Sequence, residues 1–234
     1  MNRSVVIVLV IAIAAAGGYV VQRVLNGRNS VTPATEPATV QADAPGQVSQ
    51  EQEGPAPTVP ETLPDVTLPD RSGTSRSLIS WKGQPLIINF WATWCGPCRE
   101  EIPLLNALRK QRAADKLEVI GIAVDERQAV LKFAKEIGID YPVLMGEQEG
   151  YEAAEHFGVA SLVLPFSVFA DSQGRIVTLK VGELHPDQAA AILDRVRDVD
   201  ANRLSLADAR LQIADKLRDL AARHVDQDHD ESGG

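Results

Sequence analysis

Cysteine is scarce in this chain: of 234 residues only Cys95 and Cys98 are cysteine. Two thiols are too few for a fold stapled by several disulfides and too few for a closed four-thiolate zinc site. Whatever they do, they do as one pair. Positive charge is also in short supply, with 23 Lys and Arg against 32 Asp and Glu and a net charge of -9. No basic footprint is left for a phosphate backbone, which excludes nucleic acid as a partner. Long apolar runs are missing with one exception, and a mean hydropathy of -0.09 excludes a polytopic membrane protein. The exception runs from Ser4 to Gln22, between Arg3 and Arg23, and carries no charge. About 20 helical residues cross a bilayer core of about 30 Å, so this run is just long enough to span one.

The chain is long enough for one domain of about 100 to 150 residues plus extensions. Residues 1–25 are read as a single transmembrane anchor, in preference to a cleaved signal peptide with its small residues at Ala14, Ala15 and Ala16. No cysteine follows the run, which excludes a lipoprotein anchor, and the short amino-terminal tail makes an inside amino terminus the default. Residues 26–60 hold six prolines among Thr, Ala, Gln and Glu, with almost no large apolar residue. Such a segment buries no core and reads as a disordered tether with a reach on the order of 30 Å.

From residue 61 the pattern becomes that of a folded α/β domain, assigned to residues 61–200. LPDVTLPDRSGTSRSL alternates around a turn at Asp70 to Gly73 and predicts a short hairpin. Leu86 to Trp91 and Leu117 to Val124 read as buried strands, joined by a helix from Cys95 to about Arg112 that Pro103 should kink. That strand, helix, strand order gives a right-handed parallel unit. Helices at Gln128 to Ile137 and near Tyr151 to Phe157 bracket a strand at Tyr141 to Met145, and an antiparallel hairpin follows, Pro165 to Ala170 with Ile176 to Val181. Pro186 opens a helix to about Val199. An amphipathic helix over residues 201–224 carries Leu206, Ile213, Leu217 and Leu220 on one stripe, before a disordered polar tail over residues 225–234.

The chemistry is concentrated in NFWATWCGPCREEIP, from Asn89 to Pro103. A strand delivers Cys95 to the first turn of a helix, where unpaired backbone N–H groups and the positive end of the helix dipole favour a thiolate. Two intervening residues let Cys98 reach the Cys95 sulfur, so a mixed disulfide on Cys95 can be resolved internally. Pro97 suits the first helical turn, and Gly96 leaves the outer sulfur uncovered for a partner. Trp91 and Trp94 are expected to form an apolar platform beside the sulfurs.

These residues resemble the thioredoxin superfamily, and within it the TlpA/ResA-like membrane-anchored thiol-disulfide oxidoreductases. WATWCGPC matches the WCxxC site of that family, and the resemblance covers about Leu63 to Val199. It implies a thioredoxin-like fold, a central mixed β-sheet flanked by helices. An amino-terminal hairpin, a TlpA-type helical insertion and an extra carboxy-terminal helix complete it. Asn89 stands where ordinary thioredoxins have a buried Asp, and Glu101 matches the extra glutamate of the family. One helical turn separates Glu101 from Cys98, so it can accept that thiol's proton, while Glu100 points away. Pro165 in SLVLPFSVFAD matches the cis-proline of the superfamily, which would present the Leu164 backbone as an edge for a client strand. Many relatives have Thr after this proline; here Phe166 should make the client surface more apolar.

The resemblance further implies a bacterial inner-membrane location with the catalytic domain in the periplasm. The clients would be disulfide-containing proteins, apocytochrome c or copper-site proteins, and a membrane thiol-disulfide electron donor would stand upstream. No cofactor and no resident metal are called for. Three rivals bear on the same residues. Copper handling by the thiol pair is one, a disulfide oxidant of the same fold another. A peroxiredoxin is the third, but it needs a Pro-x-x-x-Thr-x-x-Cys loop that WATWC does not supply.

Overall fold

The computed structural model describes residues 58–161 and 163–231, all within one of the two compact units into which the chain divides, residues 53–234. The uncharged run at Ser4 to Gln22 and nearly all of the proline-rich tether lie outside the described residues. Among the described residues no helix is long and apolar enough to cross a membrane.

Backbone pairing begins at Glu61, whose carbonyl accepts from Ile176 N–H, while Leu63 N–H donates to Gly174. Strands β1 (Thr67–Pro69) and β2 (Ser75–Ser77) form the antiparallel hairpin. Its turn is set by the Asp70 carboxylate, which accepts from the Ser72 and Thr74 amides at 2.8 and 3.1 Å, with Gly73 at a φ of 88°.

The main sheet follows, with β3 (Leu86–Trp91), β4 (Glu118–Ala123), β5 (Val143–Met145), β6 (Phe166–Ala170) and β7 (Ile176–Val181) in the order β5-β4-β3-β6-β7. Three strands are parallel, whereas β6 runs against β3 and β7 against β6. The β6–β7 turn closes on the buried Asp171 carboxylate, which accepts from the Gln173 and Arg175 amides and from Arg175 Nε.

Every residue of β3 is buried, and its side chains divide by period two. Ile87 and Trp91 face one core together with helices α1 (Gly96–Gln111), α2 (Arg127–Ile137), α4 (Pro186–Asp200) and α5 (Leu206–Glu231). Leu86, Ile88 and Phe90 face a second core with α3 (Gln148–His156) and the hairpin residues Val66 and Leu68. The sheet thus lies between two apolar layers, and α1 carries the cysteines on the first of them.

The bounds of α1 and α2 meet the sequence expectation, and the end of α5 departs from it. Helix α1 carries Pro103 in its interior and runs on to Gln111. Helix α2 ends, as expected, at Gly138, which takes a φ of 71°. Helix α5 runs to Glu231, so the segment from residue 225, expected as a disordered tail, is helical for most of its length. VDQDHDE contains neither Pro nor Gly, and nothing in its sequence stops the helix before Gly233. Ala209, Ile213 and Leu220 bury one stripe of α5, and Arg210 ties it to the edge strand by donating to the Ile176 carbonyl at 2.7 Å.

Gly121 of β4 pairs with Asn89, and a Cβ placed there would lie 2.8 Å from Trp91 Nε1 and 3.0 Å from Tyr141 Cε2. Gly121→Ala should therefore overpack the first core and cost about 1 to 3 kcal/mol in urea unfolding at constant m-value.

Candidate active site

Strand β3 ends at Trp91, and the three residues that follow carry the chain to the helix. Asp125, just after β4, anchors this crossing: its Oδ2 accepts from Thr93 N–H at 2.9 Å and from the Thr93 hydroxyl. Cys95 then occupies the N-cap of α1, where its sulfur accepts the Cys98 amide at 3.3 Å. Cys95 and Cys98 are joined as a disulfide, with a Cα separation of 5.3 Å. The two sulfur-bearing residues are not equivalent: Cys98 is fully buried, while Cys95 keeps 6% of its surface. Around Cys95 the chain is open, with Trp94 66% exposed and Gly96 and Pro97 also exposed. A partner can therefore approach Cys95 but not Cys98.

One turn further along α1, Glu100 is exposed and Glu101 is 2% exposed. The Glu101 carboxylate accepts from Asn89 Nδ2 at 2.6 Å and from the Leu184 amide at 2.8 Å. Asn89 Nδ2 also donates to Ser167 Oγ at 3.1 Å across the β3–β6 register. Burial pushes the Glu101 pKa up from 4.5 to about 7, against the lowering effect of these two hydrogen bonds. Because the folded pKa lies above the ordinary one, the native state holds this proton more tightly than the unfolded chain. Stability from the neutral form is fully present below pH 4.5 and is lost as pH rises toward 7. Asn89 Oδ1 is buried without a partner. A turned amide could offer that oxygen to a protonated Glu101, so the pair can serve both charge states.

The Leu164–Pro165 peptide bond is cis. Pairing of Phe90 with Phe166 sets Pro165 at the end of β3 that leads to Cys95, and Leu164 packs on the core that contains both cysteines. The Pro165 carbonyl accepts the Gly182 amide at 2.8 Å.

Two expectations need correction. Trp91 forms no platform with Trp94: as the last residue of β3 it points into the first core, fully buried, with its ring 5.7 Å from that of Phe133. Phe166 does not enlarge a client surface, because the period of β6 turns it into the second core, stacked on Phe90 at 4.2 Å. The exposed apolar side chains in this region are instead Trp94, Val163 and Val181.

Asp125, Ser167 and the Leu184 amide contact the site residues, and the sequence pattern did not single them out. Only Asp125 carried a usable signal, as an acid at the end of a buried strand beside the cysteine loop. Among the described residues no group of three His, Cys, Asp or Glu side chains is placed to hold a metal ion.

Comparison with known proteins agrees with this geometry. The AhpC/TSA family model matches residues 59–179. The thiol-disulfide oxidoreductase ResA of Bacillus thuringiensis is 31% identical over 134 residues, 57% of this chain and 75% of that protein. The thioredoxin-like protein YneN of Bacillus subtilis is 34% identical over 138 residues, 57% of this chain and 78% of that protein. Among solved structures, a secreted thiol-disulfide isomerase from Corynebacterium glutamicum superposes with a TM-score of 0.54 at 25% identity, covering 68% of this chain and 98% of that one. The chain belongs to the AhpC/TSA family, and within that thioredoxin-like family to its thiol-disulfide oxidoreductases.

Proposed function

We propose that the protein reduces disulfides in partner proteins, with CGPC as its active site and the Ser4 to Gln22 run as a membrane anchor that holds the domain in the periplasm. The observation that carries this reading is the buried carboxyl of Glu101, one helical turn beyond the fully buried Cys98. A resolving thiol out of reach of solvent needs a base beside it, and a carboxyl that titrates near neutral pH suits that task.

In the dithiol form the Cys95 thiolate, favoured by its N-cap position, attacks a client sulfur and displaces the other as a thiolate. The Cys98 thiol then gives its proton to Glu101, and the resulting thiolate attacks the Cys95 sulfur. Two electrons pass to the client, whose two displaced thiolates take one proton from Glu101 and one from solvent, and the Cys95–Cys98 disulfide of the described state is formed. Trp94, Gly96 and Pro97 line the approach, and the Leu164–Pro165 edge receives the client backbone. Asn89 holds Glu101 in place.

A periplasmic reductant must be reduced again, so a membrane thiol-disulfide donor stands upstream. The clients are apocytochrome c or copper-site proteins, by analogy with the family resemblance.

Cys98→Ser should accumulate mixed disulfides through Cys95, isolated under acid quench, whereas Cys95→Ser should trap nothing. An empty Cys98→Ser trap would contradict the exchange scheme. In the wild type, resolution should speed up as pH rises through about 7, because Glu101 must be ionised to take the proton. Glu101→Gln should slow that step by about 100-fold at neutral pH and remove the inflection near 7 from the rate profile, read by stopped-flow Trp fluorescence.

A further inference from the structure

Lys180, near the end of β7, folds its ammonium back under the connector that leads to α4. Its Nζ donates to the carbonyls of Val181, Gly182 and Glu183 at 2.8, 3.2 and 3.0 Å. An ammonium has three N–H donors, so these three carbonyls use all of them. The turn that brings them together passes through Gly182 at a φ of 83°, a region that glycine enters freely. Without the cation, three carbonyl dipoles would converge on one point and repel.

The amides of the same connector hold the two ends of the site. Gly182 N–H donates to the Pro165 carbonyl at 2.8 Å, and Leu184 N–H donates to Glu101 Oε2 at 2.8 Å. One side chain therefore fixes a segment that touches both the client edge and the buried carboxylate. The groups that act on Glu101 come from several elements: Asn89 from β3, Tyr141 ahead of β5, Lys180 from β7 and Glu183 from the connector. Lys180 is the cation in this set and favours the ionised carboxylate, while Glu183 opposes it. Tyr141 is held neutral by burial, its pKa pushed up.

We propose that Lys180 is a positioning residue for disulfide exchange: its ammonium sets the connector whose amides hold Pro165 and Glu101 together. This rests on the reading of Glu101 as the base for Cys98, and it adds a residue that touches neither sulfur.

The test follows the Glu101 side-chain carboxyl by carbon-13 NMR in the oxidised full chain, assigned by its loss in Glu101→Gln. Lys180→Met keeps the apolar stem and removes the charge and every donor; Lys180→Gln removes the charge and keeps two donors. The titration midpoint should rise by about half a pH unit or more in Lys180→Met, with Lys180→Gln between it and the wild type. Amide exchange at Gly182 and Leu184 should quicken in the same order. A Lys180→Met midpoint equal to the wild type would overturn the assignment, and if that variant does not unfold cooperatively, an unshifted Lys180→Gln decides against it in the same way. Both readouts need no client, so a wild-type chain that reduces no disulfide refutes the functional reading through a different result.

Discussion

Glu101 accepts one hydrogen bond from Asn89 and one from the Leu184 amide, and these bonds join three parts of the molecule that are distant in sequence. Asn89 belongs to the central strand, Glu101 to the helix that carries the cysteines, and Leu184 to the connector after the last strand. A carboxyl group cannot be buried beside an apolar core without such partners, since an unpaired charge there would cost several kcal/mol. Residual desolvation remains even with them, which is why the group titrates near neutral pH. The raised pKa, on which the proposed proton transfer from Cys98 depends, is thus a consequence of where the fold places the group.

The rest of the domain maintains that placement. Strand β3 is buried on both faces, so its register with β4 and β6 is fixed by two cores at once. That register puts Asn89 opposite Ser167 and sets Pro165 beside the end of the strand. Asp125 fixes the crossing from β3 to α1 through Thr93, and Cys95 caps the helix it begins. Rigid elements hold the buried members of the site, while the exposed ones, Trp94, Gly96 and Pro97, stand on the loop and first turn where a partner can reach them.

Much of this could be read from the sequence. The β3 run announced itself as a segment apolar at every position but Asn89, its span in the structure is the one expected, and the β6–β7 hairpin followed from two runs around a short turn. The cysteine pair stood out because its spacing places it at a helix N-terminus, whereas Glu101 and Pro165 stood out through the family resemblance, which matched them to the extra glutamate and the cis-proline. Harder to see was the direction of side chains in strands buried on both sides. Trp91 and Phe166 lie in runs that are apolar except at Asn89 and Ser167, so little alternation marked which way each ring turns. Packing decided it. The end of α5 was missed for the opposite reason: polar composition suggested disorder, but a segment without Pro or Gly can continue a helix already anchored by Ala209, Ile213 and Leu220. The contacts of Lys180 and Leu184 run through backbone atoms, which carry no residue-type signature.

The central claim is that this site donates electrons to client disulfides. Its most direct test is the reduction potential of the full chain, equilibrated in defined thiol buffers and read by alkylation of free Cys95. A potential below about -220 mV, toward the thioredoxin range, is the predicted result; a value near -120 mV, the range of a strong disulfide oxidant, would contradict the account.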